Sequence, residues 1–326
     1  GGSHRLDWTV DEFRPYVVHR FADGSKDWLF DGFLFLEFKD GSGRNYTVGY
    51  EKLNARRTEW EWLLDRIFEQ GKSLSALDRC IGQEIKELGK PAFRHQIVLG
   101  LPEAIRGQKD WGKLDGREMD FSKEEDQIAA TKWYIGELVE RFKAAKYKHL
   151  ELSGFYWVAE DTHHCAELTI PLSEYIHSEG KLFYWIPYWQ AKGHEEWKRL
   201  GFDVAYQQPN HFFNHSIPDS RLDEACATAR RHGMAMEFEF DEKATAAIPN
   251  SSYDRMVAYI DHFEKNDVFN SSAVAYYCGN RGVLTLDESD NPKDKALMDR
   301  LARIIQARRY LKYGIPMKNK TRVVAH

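Results

Sequence analysis

Glu237 and Glu239 stand two apart in the run MAMEFEF (residues 234–240), which alternates as a β-strand does. Successive side chains of a strand face opposite ways, so Met234, Met236, Phe238 and Phe240 share one face and Ala235, Glu237 and Glu239 the other. Two carboxylates on one crowded face are costly unless they are paired, hydrogen-bonded or protonated. Either an inward Lys or Arg neutralises them, or proximity pushes their pKa values apart, which makes an acid and a base from one residue type. Glu160, in GFYWVAED (154–161), is the natural partner, because Tyr156 and Trp157 just before it offer a dry setting that would raise its pKa. The plain alternative for Glu160 is a solvated loop carboxylate. Asp161 would point away, and Glu103 and Glu151 are lesser candidates. Opposed carboxyl groups suit glycoside hydrolysis, in which one protonates the leaving oxygen and the other attacks the anomeric carbon or activates water. On this reading Glu160 is the acid and Glu239, or Glu237, the nucleophile. Retention is expected, since long glutamates can meet near the axis of a small barrel at the roughly 5–5.5 Å that retention requires.

A sugar also needs surfaces to lie on. The chain carries 19 Phe, 10 Trp and 16 Tyr, and many fall where apolar runs end. Trp157, Tyr188, Trp189, Tyr206, Gln207, Asn210 and Tyr276 form the expected subsites, rings stacking on sugar faces while amides bond hydroxyls. The alternative is that these rings only fill the core. No metal or cofactor is expected. His163-His164-Cys165 with Glu167, and His211 with His215, have spacings a metal could use, which keeps a metal-dependent sugar lyase or isomerase as an alternative. A non-catalytic carbohydrate-binding barrel is the other. Gly71-Lys72-Ser73 copies the end of a phosphate loop, but Arg66 stands where the motif needs Gly; GxGxxG, GxSxG and CxxC do not occur.

The elements that must position these groups follow a regular rhythm. Eight short apolar runs occur at 16–19, 28–38, 94–101, 149–157, 181–189, 202–208, 234–240 and 272–278. Helical spacing fills 51–70, 123–146, 171–179, 193–200, 219–232, 251–264 and 293–312. Eight strands alternating with helices predict an α/β chain folded as a single (β/α)₈ TIM barrel over residues 1–326, with its site at the C-terminal ends of the strands. Gly1-Gly2-Ser3-His4 reads as a cloning scar and 315–326 as a C-terminal tail. With 46 Lys and Arg against 51 Asp and Glu, the net charge is −5. Basic residues cluster only briefly, at Arg230-Arg231-His232 and Arg308-Arg309, so nucleic acid is not an expected partner. Mean hydropathy is −0.62, and no apolar run is long enough to span a membrane. The expected partner is a carbohydrate substrate, and the expected state a monomer.

Together, RPYV (14–17), FDGFLFLEF (30–38), GFYWVAED, FYWIPYW (183–189), GFDVAYQQPNHFF (201–213) and MEFEFD (236–241) resemble the DUF4855 family, uncharacterised bacterial proteins, many from gut Bacteroidetes. The resemblance covers most of the chain. It implies a TIM barrel, a glycoside-hydrolase-like role in polysaccharide degradation, and a periplasmic or secreted location. The wider glycosidase clan with this barrel places its acid/base after strand four and its nucleophile on strand seven, where Glu160 and the Glu237/Glu239 pair would fall. Ala159 stands where that clan has Asn before its acid.

Overall fold

The computed structural model describes residues 7–163 and 165–314; the scar, His164 and the tail expected above lie outside them. Seven strands carry the architecture: β1 (Gly32–Phe35), β2 (His95–Leu101), β3 (Leu150–Trp157), β4 (Leu182–Trp185), β5 (Val204–Gln207), β6 (Ala235–Glu239) and β7 (Val274–Tyr277). They lie side by side in chain order, each parallel to its neighbours, in a curled sheet. Helix α1 (Val10–Val17) precedes the sheet, and α2 (Arg57–Ile67) and α3 (Ser73–Leu88) join β1 to β2. Then α4 (Glu124–Ala145), α5 (Ala166–Ser178), α6 (Ser220–His232) and α7 (Tyr253–Lys265) cross between later strands. The short α8 (Val268–Ser271) precedes β7, and α9 (Gly282–Glu288) and α10 (Pro292–Tyr313) follow it. The α/β barrel class is the one the rhythm predicts, with seven sheet strands among the described residues rather than eight.

The missing strand is the first run. Thr9 and Glu12 form a reciprocal helix start, the Thr9 N–H donating to Glu12 Oε2 at 2.8 Å, so Tyr16 and Val17 end α1. Val18–Arg20 then pairs antiparallel with Lys26–Trp28 in a separate ribbon. The stretch at 193–200 forms only a 3₁₀ turn, His194–Glu196. Conversely α3 was not expected, although Leu74, Leu77, Ile81 and Ile85 carry helical spacing.

Among the described residues, β1 and β7 share no ladder, and other groups close the seam between them. Phe30 packs on Tyr276 (5.1 Å between centroids), and Phe13 of α1 covers Phe33 and Phe35. Adjacent arginines of α10 hold the two lips. Arg309 donates to the Leu29 carbonyl (3.1 Å) and pairs with Asp27 (2.8 Å), while Arg308 donates to the Ser272 carbonyl (2.8 Å).

Two apolar clusters result. The larger lies between sheet and helices and includes Trp185, Phe183, Phe238 and Phe240; the smaller lies inside the curl, built from Phe38, Tyr156, Val158 and Ile186. Gly154 sets the spacing of β3 and β4. A Cβ there would fall 1.9 Å from the Leu182 carbonyl oxygen, a rigid backbone atom in the same ladder. Gly154→Ala should therefore cost roughly 3 kcal/mol or more, read as a large drop in melting temperature, because the strands must separate to admit it.

Candidate active site

A cavity of about 1070 Å³ occupies the inside of the curl and reaches the rim at the C-terminal ends of the strands. Its lining includes Glu160, Glu237 and Glu239, so three side chains distant in sequence share one space. Strand alternation explains the pair on β6. Met236 and Phe238 turn outward into the larger core, which leaves both glutamates inward.

Glu160 follows β3 on a segment fixed from the neighbouring strand. The Trp185 indole donates to the Ala159 carbonyl (2.8 Å), and the Tyr188 N–H to the Glu160 carbonyl (3.3 Å). Its carboxylate accepts from Gln208 Nε2 (3.1 Å). Gln208 is itself oriented: Nε2 also donates to the Ile186 carbonyl (3.0 Å), and Oε1 accepts from Asn210 Nδ2 (2.9 Å). Burial raises the Glu160 pKa; the Gln208 bond opposes that rise, and the charge of Asp161 adds to it.

The β6 carboxylates sit in drier surroundings. Glu239, 2% exposed, accepts from the Tyr259 hydroxyl of α7 and from the backbone N–H of His211 (3.4 Å). Burial pushes its pKa up to about 7 despite those donors. Glu237, 5% exposed, has no hydrogen-bond partner among the described residues. Burial, then the charges of Glu239 and Glu160, hold its pKa well above the usual carboxylate range. No Lys or Arg among the described residues ion-pairs with any of the three, so the neutralising cation weighed from sequence is not what holds them. Tyr156 and Tyr277 complete the wall, their phenols kept protonated by burial first and then by the charges of Glu160 and Glu237.

The expected subsite residues divide. Tyr206, Asn210 and Tyr276 line the cavity, whereas Trp157, Gln207, Tyr188 and Trp189 do not. Trp157 faces outward from β3 and packs on Phe183 (6.0 Å). Gln207 lies on the outer side of β5 and donates to the Gln208 carbonyl (3.0 Å); the inward amide is Gln208, one residue on. Trp189 packs against the larger core beneath the Arg221 guanidinium (4.7 Å). Tyr188 is a rim residue whose hydroxyl donates to Asp161 (3.2 Å). Rings that sequence reasoning missed are Tyr50, stacked on Phe38 (4.7 Å, 1°), and Phe213, edge-on to Tyr277 (5.8 Å). Both line the cavity while remaining 42% and 51% exposed.

The lesser carboxylates do not line the cavity. Glu103 accepts from Thr47 Oγ1 (2.8 Å) and the Val48 N–H (3.2 Å), and Glu151 from Gln96 (3.4 Å). The histidines considered for a metal are dispersed. His163 faces Lys192 (3.4 Å), His211 bonds Asp219 (2.8 Å) and His215 bonds Ser252 (3.0 Å). Glu160 and the β6 pair lie on the third and sixth sheet strands, not the fourth and seventh, because the 16–19 run is no part of the sheet.

Comparison with solved structures finds likeness to a putative alpha-L-fucosidase from Bacteroides thetaiotaomicron, at 14% identity over 85% of this chain and 82% of that one, with a TM-score of 0.44. The carboxyl transferase domain of Rhizobium etli pyruvate carboxylase is also similar, at 11% identity over 82% of this chain and 42% of that one, TM-score 0.36. No curated protein matches. Among the described residues no helix is long and apolar enough to cross a membrane. The family model DUF4855, a domain of unknown function, matches residues 1–303, and the chain belongs to that family.

Proposed function

We propose that the chain is a metal-independent glycoside hydrolase acting on a polysaccharide or complex glycan. One observation carries the reading: three carboxyl groups face one large cavity, none ion-paired among the described residues, with burial dividing them into proton holders and a more readily ionised member. That division favours a different allotment of roles from the one expected of the sequence. Glu237, without a donor among the described residues to stabilise its charge, keeps its proton at neutral pH and gives it to the glycosidic oxygen as the bond breaks. Glu160, the least perturbed of the three toward the neutral form, supplies the carboxylate that attacks the anomeric carbon. Water then releases the sugar, and Glu237 takes back a proton. Glu239, held by Tyr259 and His211, orients its neighbour or bonds a sugar hydroxyl.

The test is reducing-end release on a panel of plant, microbial and host glycans, with the anomer of the first product read by NMR. Release from no member, with binding retained, would leave a non-catalytic sugar-binding barrel. The platforms are separately testable. Tyr50→Ala and Phe213→Ala should each weaken glycan binding by roughly 1–3 kcal/mol, about 5–150-fold in KM, with melting temperature little changed. Trp189→Ala should instead lower the melting temperature, since its ring packs on the core.

A further inference from the structure

We propose a zinc site on the outside of the barrel, formed by His194, Glu195 and His232. The first two lie in the 3₁₀ turn between β4 and β5, and the third is the last residue of α6. One donor atom from each comes within 4.8 Å of the other two. Imidazole and carboxylate are ligand types zinc accepts, and three protein ligands leave a fourth position for water.

The spacing fits an ion between the groups better than direct contact. His232 Nε2 lies 3.7 Å from Glu195 Oε1, too long for a hydrogen bond. Two donors on a tetrahedral zinc, each about 2.0–2.1 Å from the metal, stand about 3.4 Å apart. The His194 ring and the His232 backbone are both fixed. His194 Nδ1 bonds the Ala191 carbonyl (2.6 Å), which fixes that nitrogen as the donor and leaves Nε2 with its lone pair free. Trp197, two residues after Glu195 and buried, donates its indole N–H to the His232 carbonyl (3.0 Å), tying the turn to the helix beneath the three side chains. The two imidazoles lie edge to face with centroids 5.8 Å apart. The C-terminal end of α6 adds a partial negative charge that favours a cation.

The site is separate from the glutamate cavity: none of its residues lines that space. It would cross-link the β4–β5 connection to α6. That connection also carries Tyr188, whose backbone holds Glu160 in place.

The whole chain, stripped with a chelator and dialysed, should bind one Zn²⁺ per chain in calorimetric titration with zinc chloride, and excess zinc should raise its melting temperature. His194→Ala and His232→Ala should each weaken binding at least about tenfold and abolish that rise, while His163→Ala and His215→Ala bind as the parent does. Glu195→Ala changes an exposed residue of a surface turn, so it tests the site even if a histidine variant misfolds; it too should weaken binding about tenfold. No zinc bound by the parent, or binding as tight as the parent's by the Glu195 and histidine variants, overturns the proposal. These readouts need no turnover, so they stand apart from the hydrolase reading.

Discussion

Glu237→Gln should slow release from a natural glycan by roughly 10²–10⁴-fold, the range over which a positioned general acid contributes, while leaving the fold intact. Gln keeps the size of the side chain but has no proton to give. The loss should shrink with an aryl glycoside whose phenol leaves without protonation, since bond cleavage then no longer waits for an acid. Glu160→Gln should lose comparable activity and recover little with that substrate, because the attacking carboxylate is needed whatever leaves. In the parent, activity should fall in acid as Glu160 takes up a proton, and in alkali as Glu237 loses one. If the aryl glycoside rescues Glu160→Gln and not Glu237→Gln, the two roles are exchanged. If both variants turn over normally, the carboxylates are not the machinery.

The carboxyl cluster was legible because it depends on the simplest regularity a sequence offers. Period-two alternation in 234–240 turns Glu237 and Glu239 to one face whatever the rest of the chain does, and a run of apolar residues ahead of Glu160 places that residue at a strand end. The seven sheet strands fall within the runs from 28–38 onward for the same reason. What failed depended on counting or on parity at a strand's last residue. Tyr16-Val17-Val18-His19 reads as a strand by composition, yet the Thr9/Glu12 helix start fixes the register of α1 and carries Tyr16 into it. Trp157 is a neighbour of inward Tyr156, so alternation alone puts it outside. Gln207 and Gln208 stand one step apart, so they have opposite parity and only Gln208 faces the cavity. Tyr50 and Phe213 gave no signal, because their places at the mouth are set by loops whose path no periodicity encodes.

Removing a buried carboxyl group that ionises only on unfolding should stabilise the protein, and only above a definite pH. Below about pH 4.5 a glutamate is protonated in folded and unfolded chains alike, so burial exacts no electrostatic penalty there. Between that value and the folded pKa of about 7, Glu239 ionises in the unfolded chain but keeps its proton in the cavity. The native state then binds more protons than the unfolded one, and stability falls as pH rises. Over that interval the loss for Glu239 is roughly 3 kcal/mol, and Glu237, raised further, adds in the same direction. Glu237→Gln, which forfeits no hydrogen bond among the described residues, should therefore match the parent near pH 4 and exceed it in stability at pH 8. Taking the difference between the two unfolding curves cancels other titrations, including buried His95 and His211, whose pKa values burial lowers to about 4 and which act in the opposite sense. A difference that stays flat from pH 4 to 8 would mean that Glu237 is ionised and solvated in the folded protein. It could not then be the proton donor. A difference that opens with pH, together with lost turnover, would show a site kept at the expense of stability for the proton it holds.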